Sequence, residues 1–383
     1  MLTRPGPPPG TNKGARLRTV GIEEELLVVS SDTMRPLPAG DRVVADAQAW
    51  LDHAQFEAEF KKEQVELGSA PSESIGAIGE ELHRLRTEMS ASARRQGADV
   101  VAIASSPFKV RPTISDGTRY AEMTEKFGLL ARQQLTCGQH VHVSIDSPEE
   151  GVAVLDRIRP WLAVLTAISG NSPFWHGQLT GYASYRSIMW GLWPTAGPTE
   201  AFGDLAGYRR AMDERLASGA AMDLGMMYFD ARLSSHYPTV EIRVPDVCTD
   251  IADALLVAAL ARGLVDTAAA EWRAGTAPTP VSVGLLRGAA WRAARWGMAD
   301  DLVDVSAVTA VPAWRLLETL VDHIAAALAA NGDADRVEAA TRRLRRTGTG
   351  ATFQLRSFAE RADLADVVRD AAARTIGGAS IDI

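Results

Sequence analysis

Alternating and helically spaced apolar positions divide the chain into elements. From Thr19 the run Thr-Val-Gly-Ile-Glu-Glu-Glu-Leu-Leu-Val-Val favours a strand, and Ser30-Ser31-Asp32 is a turn signal that ends it. A second extended segment is expected over 56–67. Residues 72–96 predict a helix, since Ile75, Ile78, Leu82, Leu85 and Met89 recur on one face. A short strand over 99–104 is closed by Ser105-Ser106-Pro107. Residues 135–145 alternate as a strand, and Pro148 opens a helix that should run to about Ser169. Glycines and prolines crowd 170–198, which predicts a long ordered loop of the kind that lines sites. A strand pair is expected at 226–233 and 239–244, with a turn at 234–238. From Thr249 the pattern is helical almost to the end, interrupted at Pro278-Thr279-Pro280, Val311-Pro312 and Asn331-Gly332. No internal repeat occurs. Strands with intervening helices, followed by a helical run, give an α+β fold with one main sheet.

Composition narrows the function classes. The chain has 383 residues, 46% hydrophobic and 23% charged, so it can bury a sizeable core. The net charge of −8 argues against a general nucleic-acid binder. The apolar run at 254–261 is far too short to span a membrane. Two cysteines, Cys137 and Cys248, cannot build a disulfide framework and suit a reducing compartment. Residues 1–17 read as a flexible tail rich in Pro and Gly without a signal-peptide core, so a cytoplasmic protein is expected.

Four clusters carry candidate chemistry. In Gly21-Ile22-Glu23-Glu24-Glu25, strand alternation puts Glu23 and Glu25 on one face and Glu24 on the other. Two carboxylates on one face suit a hard cation such as Mg²⁺; a solvated edge strand is the alternative. In Glu59-Phe-Lys-Lys-Glu63-Gln-Val-Glu66, Glu59 and Glu66 differ in parity, so only a bend or bulge could aim both at one ion. His140 and His142 share a face of Gln139-His-Val-His-Val, as metal or phosphate contacts or as a pair of sheet histidines. Thr239, Glu241 and Arg243 share a face of the following strand, as metal ligand beside anion clamp or as a structural ion pair. Arg186 and Arg232 are further candidate clamps.

No Walker loop, G-x-G-x-x-G fingerprint or G-x-S-x-G elbow is present. Gly348-Thr-Gly350-Ala reads as a helix-starting loop with Thr349 as a cap, and Arg342-Arg343-Leu344-Arg345-Arg346 as a solvated helix face. Pooled on one concave face, the strand-borne Glu, His and Arg residues are equipment for phosphoryl transfer from a metal nucleotide.

In order along the chain, Gly21-Ile-Glu-Glu-Glu25, Cys137-Gly-Gln-His-Val-His142, Ser169-Gly-Asn-Ser-Pro-Phe-Trp175, Tyr185-Arg186 and Thr239-Val-Glu-Ile-Arg-Val-Pro-Asp-Val247 resemble the type 2 glutamate–cysteine ligase family. These are carboxylate-amine ligases within the glutamine synthetase-like superfamily. Gly348-Thr-Gly-Ala…Gln354 resembles the family's ending. The resemblance implies a curved, mostly antiparallel sheet forming an active-site funnel, backed by helices, with a helical C-terminal third. It also implies one catalytic domain over 18–375.

The chemistry so implied is phosphorylation of a carboxylate by ATP, typically the γ-carboxylate of glutamate, followed by attack of an amine on the acyl phosphate. By position, Glu23, Glu25, Glu59, Glu66, His140 and Glu241 look like the family's set for Mg²⁺ (or Mn²⁺). Arg186 and Arg243 look like the arginines facing the transferred phosphate and the acid, Arg232 joins them as a catalytic candidate, and His142 and Arg243 are nucleotide contacts. Glu63 competes with Glu59 as partner of Glu66, and Asp230-Ala-Arg232-Leu-Ser departs from the family by lacking a proline after the arginine. The expected partners are a small acid, glutamate foremost, and an amine of open identity, with a homodimer as candidate assembly and neither nucleic acid nor membrane. The alternatives are a metal-dependent amide hydrolase or deamidase on the same fold, and a non-catalytic nucleotide-binding protein.

Overall fold

The structure is a computed structural model and describes residues 17–50 and 55–377. The tail expected over 1–17 lies, apart from Leu17, outside the described residues.

The sheet is built around β1 (Val20–Ser30). Its neighbours are β2 (Phe56–Ala58), β3 (Gln64–Gly68), β4 (Ala98–Val101) and β5 (Gln139–Ser144). A short hairpin, β6 (Phe174–Trp175) with β7 (Gln178–Leu179), stands apart, and β8 (Ala231–Leu233) and β9 (Thr239–Ile242) complete the sheet. The strand order is β2-β3-β1-β5-β9-β8, with β4 beside the C-terminal half of β1, and every pairing is antiparallel. Val20, Ile22, Glu24 and Leu26 turn to the helical side and are buried, whereas Glu23 and Glu25 turn to the open face. The expected alternation therefore holds.

Helices cover the other face. Ile75–Arg95 begins where the Ser74 hydroxyl accepts the Ala77 N–H at 3.2 Å. Ile251–Arg273 is buried nearly all round along its first four turns, as its Ala- and Leu-rich sequence requires of a central helix. Arg86 reaches through this layer to Glu24, in two bonds of 2.8 and 2.7 Å, and also donates to the carbonyls of Cys248, Thr249 and Thr375. The back of β1 is thus fastened to the segment that leads into Ile251–Arg273 and to the last helix, Leu364–Ile376.

Several elements differ from the sequence expectation. The segment 56–67 is not one strand: the chain reverses at 59–63, held by the buried Lys61 ammonium on the Ala131 carbonyl, so β2 and β3 pair with each other. The helix from Pro148 stops at Ile158, because Pro160 supplies no N–H; a 3₁₀ turn (Arg159–Trp161) and a second helix (Leu162–Ser169) follow. The stretch 170–198 contains the β6–β7 hairpin and the helix Tyr185–Trp190, opened by the Ser184 hydroxyl accepting the Ser187 N–H. The helical C-terminal third includes a hairpin, β10 (Asp301–Asp304) with β11 (Thr309–Pro312). Arg343 leaves the solvated face expected of 342–346 and pairs with Asp250 and Asp253. No described helix is long and apolar enough to cross a membrane.

Candidate active site

Register decides which side chains meet. Across β2, β3 and β1, Glu57 stands opposite Glu66 and Glu66 opposite Glu25. Across β1 and β5, Glu23 faces His140; across β5, β9 and β8, His142 faces Glu241 and Glu241 faces Arg232. Directly opposed residues project to one side of a sheet, so these rows converge on the open face. They line a cavity of about 610 Å³. The reversal after β2 brings Glu59 into the same cavity despite its parity. Glu63 is turned away: its carboxylate accepts the Thr113 N–H at 2.9 and 3.0 Å. Glu59, not Glu63, is the neighbour of Glu66.

Three overlapping groups bring ligand atoms within 4.8 Å of one another: Glu25, Glu59 and Glu66; Glu23, Glu66 and His140; Glu23, His142 and Glu241. Their electrostatics bear on whether a cation fits. Burial, reinforced by the charge of Glu59, pushes Glu25 up to about 7 against the opposing influence of Arg186. Burial and the charges of Glu59, Glu23 and Glu25 raise Glu66 well above the ordinary carboxylate range. Uncompensated negative charge with oxygen donors and an imidazole fits a hard divalent cation such as Mg²⁺ or Mn²⁺. Burial opposes ionisation of Glu23, but His140 Nδ1 at 3.3 Å and His142 Nε2 at 3.2 Å outweigh it and hold its pKa low. Burial, with the nearby charge of Arg243, lowers His140 to about 4, leaving a neutral imidazole able to act as a ligand.

The arginines divide between two environments. Arg232 grips Glu241 through Nε at 2.7 Å and Nη2 at 3.2 Å, and Arg243 Nη1 donates to the same carboxylate. The ion-pair alternative for this strand is therefore realised, within the cavity wall. Burial opposes ionisation of Glu241, and Arg243 and Arg232 override it, holding its pKa low. The buried Nε of Arg243 has no partner among the described residues.

Arg186 does not line the acidic cavity. It sits at the start of Tyr185–Trp190, donates at 3.3 Å to the carbonyls of Val244 and Arg243, and lines an adjoining pocket. Its own N–H is held by the Ser172 hydroxyl at 2.9 Å, which in turn donates to Asp246 at 2.8 Å. Gly138 makes room: a Cβ there would lie 2.2 Å from Arg186 Nη2. Ser172 and Asp246, from the fragments that carry the resemblance, thus position Arg186, and the Asn171 N–H donates to the same Asp246 carboxylate at 2.8 Å. Gln354 ties the Gly350–Arg361 helix to the Asn171 side chain at 2.7 Å. Thr349 stands at that helix's N-cap, but its hydroxyl caps no backbone N–H.

Sequence reasoning missed Glu57 and the aromatic walls Trp190 and Tyr228, all lining the cavity. Glu57 carried a usable signal: it shares parity with Glu59 and the hairpin register aligns it with Glu66. Trp190 and Tyr228 carried none, since their placement depends on how 170–230 packs.

Residues 19–370 match the sequence model of glutamate–cysteine ligase family 2. A protein of Streptomyces coelicolor, provisionally named glutamate–cysteine ligase 2, is 47% identical over 362 residues, covering 94% of this chain and 99% of its own. A similarly named protein of Frankia alni is 46% identical over 365 residues, covering 92% and 95%. Among solved structures, the fold resembles glutamate–cysteine ligase of Francisella tularensis in complex with AMP, with a TM-score of 0.69 at 14% identity over 95% of this chain and 90% of that one. The Pup ligase PafA, solved in complex with Pup, gives 0.51 at 13% identity over 91% and 72%. At such identities these solved structures bear on fold alone.

Proposed function

The chain belongs to glutamate–cysteine ligase family 2, and from that premise we propose that it is an ATP-dependent carboxylate–amine ligase. The observation that carries the reading is the convergence of Glu23, Glu25, Glu57, Glu59 and Glu66 with His140 on one concave face, bordered by Arg243 and Arg232. So many carboxylates would repel a nucleotide unless divalent cations lay between them. Glu23, Glu25, Glu59, Glu66, His140 and Glu241 would hold Mg²⁺ or Mn²⁺, which when bound neutralises triphosphate charge and orients the transferring group.

In this reading the acid is glutamate, as the names of the relatives suggest, and its side-chain carboxylate attacks the γ-phosphorus with loss of ADP. The amine nitrogen then forms the amide bond as phosphate leaves. Arg243, whose Nε has no partner among the described residues, faces the phosphoryl group, with His142 beside the nucleotide. Arg232 keeps Glu241 ionised and aimed, and Arg186 supports the backbone that carries Arg243. The aromatic rings of Trp190 and Tyr228 limit the access of water to a hydrolysis-prone acyl phosphate. Residues 18–375 act as one catalytic domain, a reading supported by a continuous apolar core reaching from Val20 to Ala371.

The test is stoichiometric. With ATP, Mg²⁺, glutamate and a panel of amines, ADP and amide should form one for one, and chelation should stop both. Release of amine from an amide without ATP turnover would favour the hydrolase reading. Binding of ATP with no ADP release for any acid and amine would favour a non-catalytic protein.

A further inference from the structure

The reversal between β2 and β3 carries Glu59 and is held by groups from elsewhere in the chain. Ser115 lies along one side, its hydroxyl donating to the Glu59 carbonyl at 2.5 Å and its N–H to the Phe60 carbonyl at 3.0 Å. The Lys62 N–H donates to the Thr113 carbonyl at 2.9 Å. From the middle of the turn Lys61, only 1% exposed, sends its ammonium to the Ala131 carbonyl, 4.1 Å from the centroid of the Phe60 ring. Beside it the Gln64 side chain donates to the Thr136 carbonyl at 2.7 Å. Residues 131–136 lead into Gly138, whose N–H donates to Glu25, and then into β5 with His140.

A buried ammonium is costly, and no carboxylate stands within ion-pair reach of this one among the described residues; Glu63 acts on it through charge alone. An apolar side chain would fill the same space without that cost. What the ammonium adds is a directed grip on a carbonyl of the short helix Leu129–Gln133, at an end where carbonyls lack backbone donors. The grip bears on chemistry because of what the turn carries. Glu59 brings a ligand atom within 4.8 Å of those of Glu25 and Glu66, and of these three only Glu59 stands outside a paired strand.

We propose that Lys61 is a positioning residue for the cation site, its hold on Ala131 aiming the Glu59 carboxylate at an ion shared with Glu25 and Glu66; this rests on the cation-dependent ligase reading above. Groups that hold a metal ligand in place are worth about ten- to a hundredfold in metal affinity. The sign of the effect separates position from charge. A fixed cation repels a metal ion nearby, so removing the Lys61 charge alone tightens metal binding, whereas releasing Glu59 weakens it.

The experiment titrates the full-length protein with Mn²⁺ alone and follows the free ion by electron paramagnetic resonance, without nucleotide or turnover. Lys61→Met should weaken Mn²⁺ binding by about ten- to a hundredfold, and Lys61→Arg, which keeps a charged donor, should recover part of the loss. Added to Glu59→Gln, Lys61→Met should bring no further weakening, because two changes that act through one ligand do not add. Lys61→Gln, one bond shorter than the native side chain, should reproduce the loss and decides the matter if the Met variant does not fold. Unchanged Mn²⁺ affinity with a lowered melting temperature would make Lys61 a strut of the fold and overturn the proposal. Tighter binding would assign it a role through charge, and further weakening on top of Glu59→Gln would show that it does not act through Glu59; either result overturns the proposal as well. A wild type that binds no Mn²⁺, or a Glu59→Gln variant that binds it as wild type does, would remove the cation from this cluster and the inference with it.

Discussion

Glu25 and Glu66 face each other across β1 and β3, with Glu59 close by, and their raised pKa values have a stability consequence. A carboxyl whose folded pKa lies above its unfolded one binds protons more tightly when folded. Stability therefore falls as pH rises from the ordinary 4.5 through about 7 for Glu25, and the raised Glu66 adds a loss of the same sign. Cation binding should cancel the loss and release protons. Melting temperature measured from pH 4.5 to 8 should decline without Mg²⁺ and flatten with it; equal slopes would remove the cation from this cluster. Glu241 and Arg243 give a sharper test, because they are both an ion pair and a cavity wall. Glu241→Gln should cut turnover by about two to four orders of magnitude. Arg243→Lys should damage rate more than stability, since the planar fork is lost and the charge kept. Large melting losses with near-normal activity in both variants would make the pair scaffold. Most of this cluster was legible in the sequence, because strand alternation places Glu23, Glu25, His140, His142 and Glu241 without reference to anything distant. The choice between Glu59 and Glu63 was not, because it depends on a chain reversal pinned by Lys61 and Ala131, 70 residues apart in sequence.

At the scale of elements, β1 works because its two faces are fixed independently. Its open face carries Glu23 and Glu25, while Glu24 on the back is fully buried against Arg86. Breaking such a pair leaves an unpaired buried charge, so Glu24→Gln should cost about 3–5 kcal/mol in urea unfolding. A loss below about 1 kcal/mol, the range of exposed pairs, would mean that the pair does not fasten the strand. Gly138 is a second element-level device: its N–H donates to Glu25 at 2.6 Å, and its missing side chain lets Arg186 pass. Gly138→Ala should displace Arg186 and lower turnover while the protein stays folded by circular dichroism; unchanged kinetics would show that the close approach is dispensable. Element types were readable where periodicity was long, as in Ile75–Arg95. They failed where one residue decided continuity, as Pro160 does within 148–169, and where a hairpin as short as β10–β11 sat inside a helical pattern.

Across the whole molecule, the sheet, the Ile251–Arg273 helix and the C-terminal helices share one apolar core, and Arg86 joins β1 to residues as distant as Thr375. The acidic cavity and the pocket beyond Arg243 lie side by side and share Arg243, Trp190 and Tyr228 as a common wall. The residues of the acidic cavity are scattered from Glu23 to Arg243, and only the resemblance of ordered fragments to a known family linked them before folding did. The account stands on carboxylate activation by ATP. Incubating the protein with glutamate labelled by ¹⁸O in its side-chain carboxylate, ATP, Mg²⁺ and an accepted amine, and then measuring the mass of the inorganic phosphate released, tests this directly. One ¹⁸O atom transferred to phosphate for each amide formed is the predicted result; amide formed with unlabelled phosphate would contradict it.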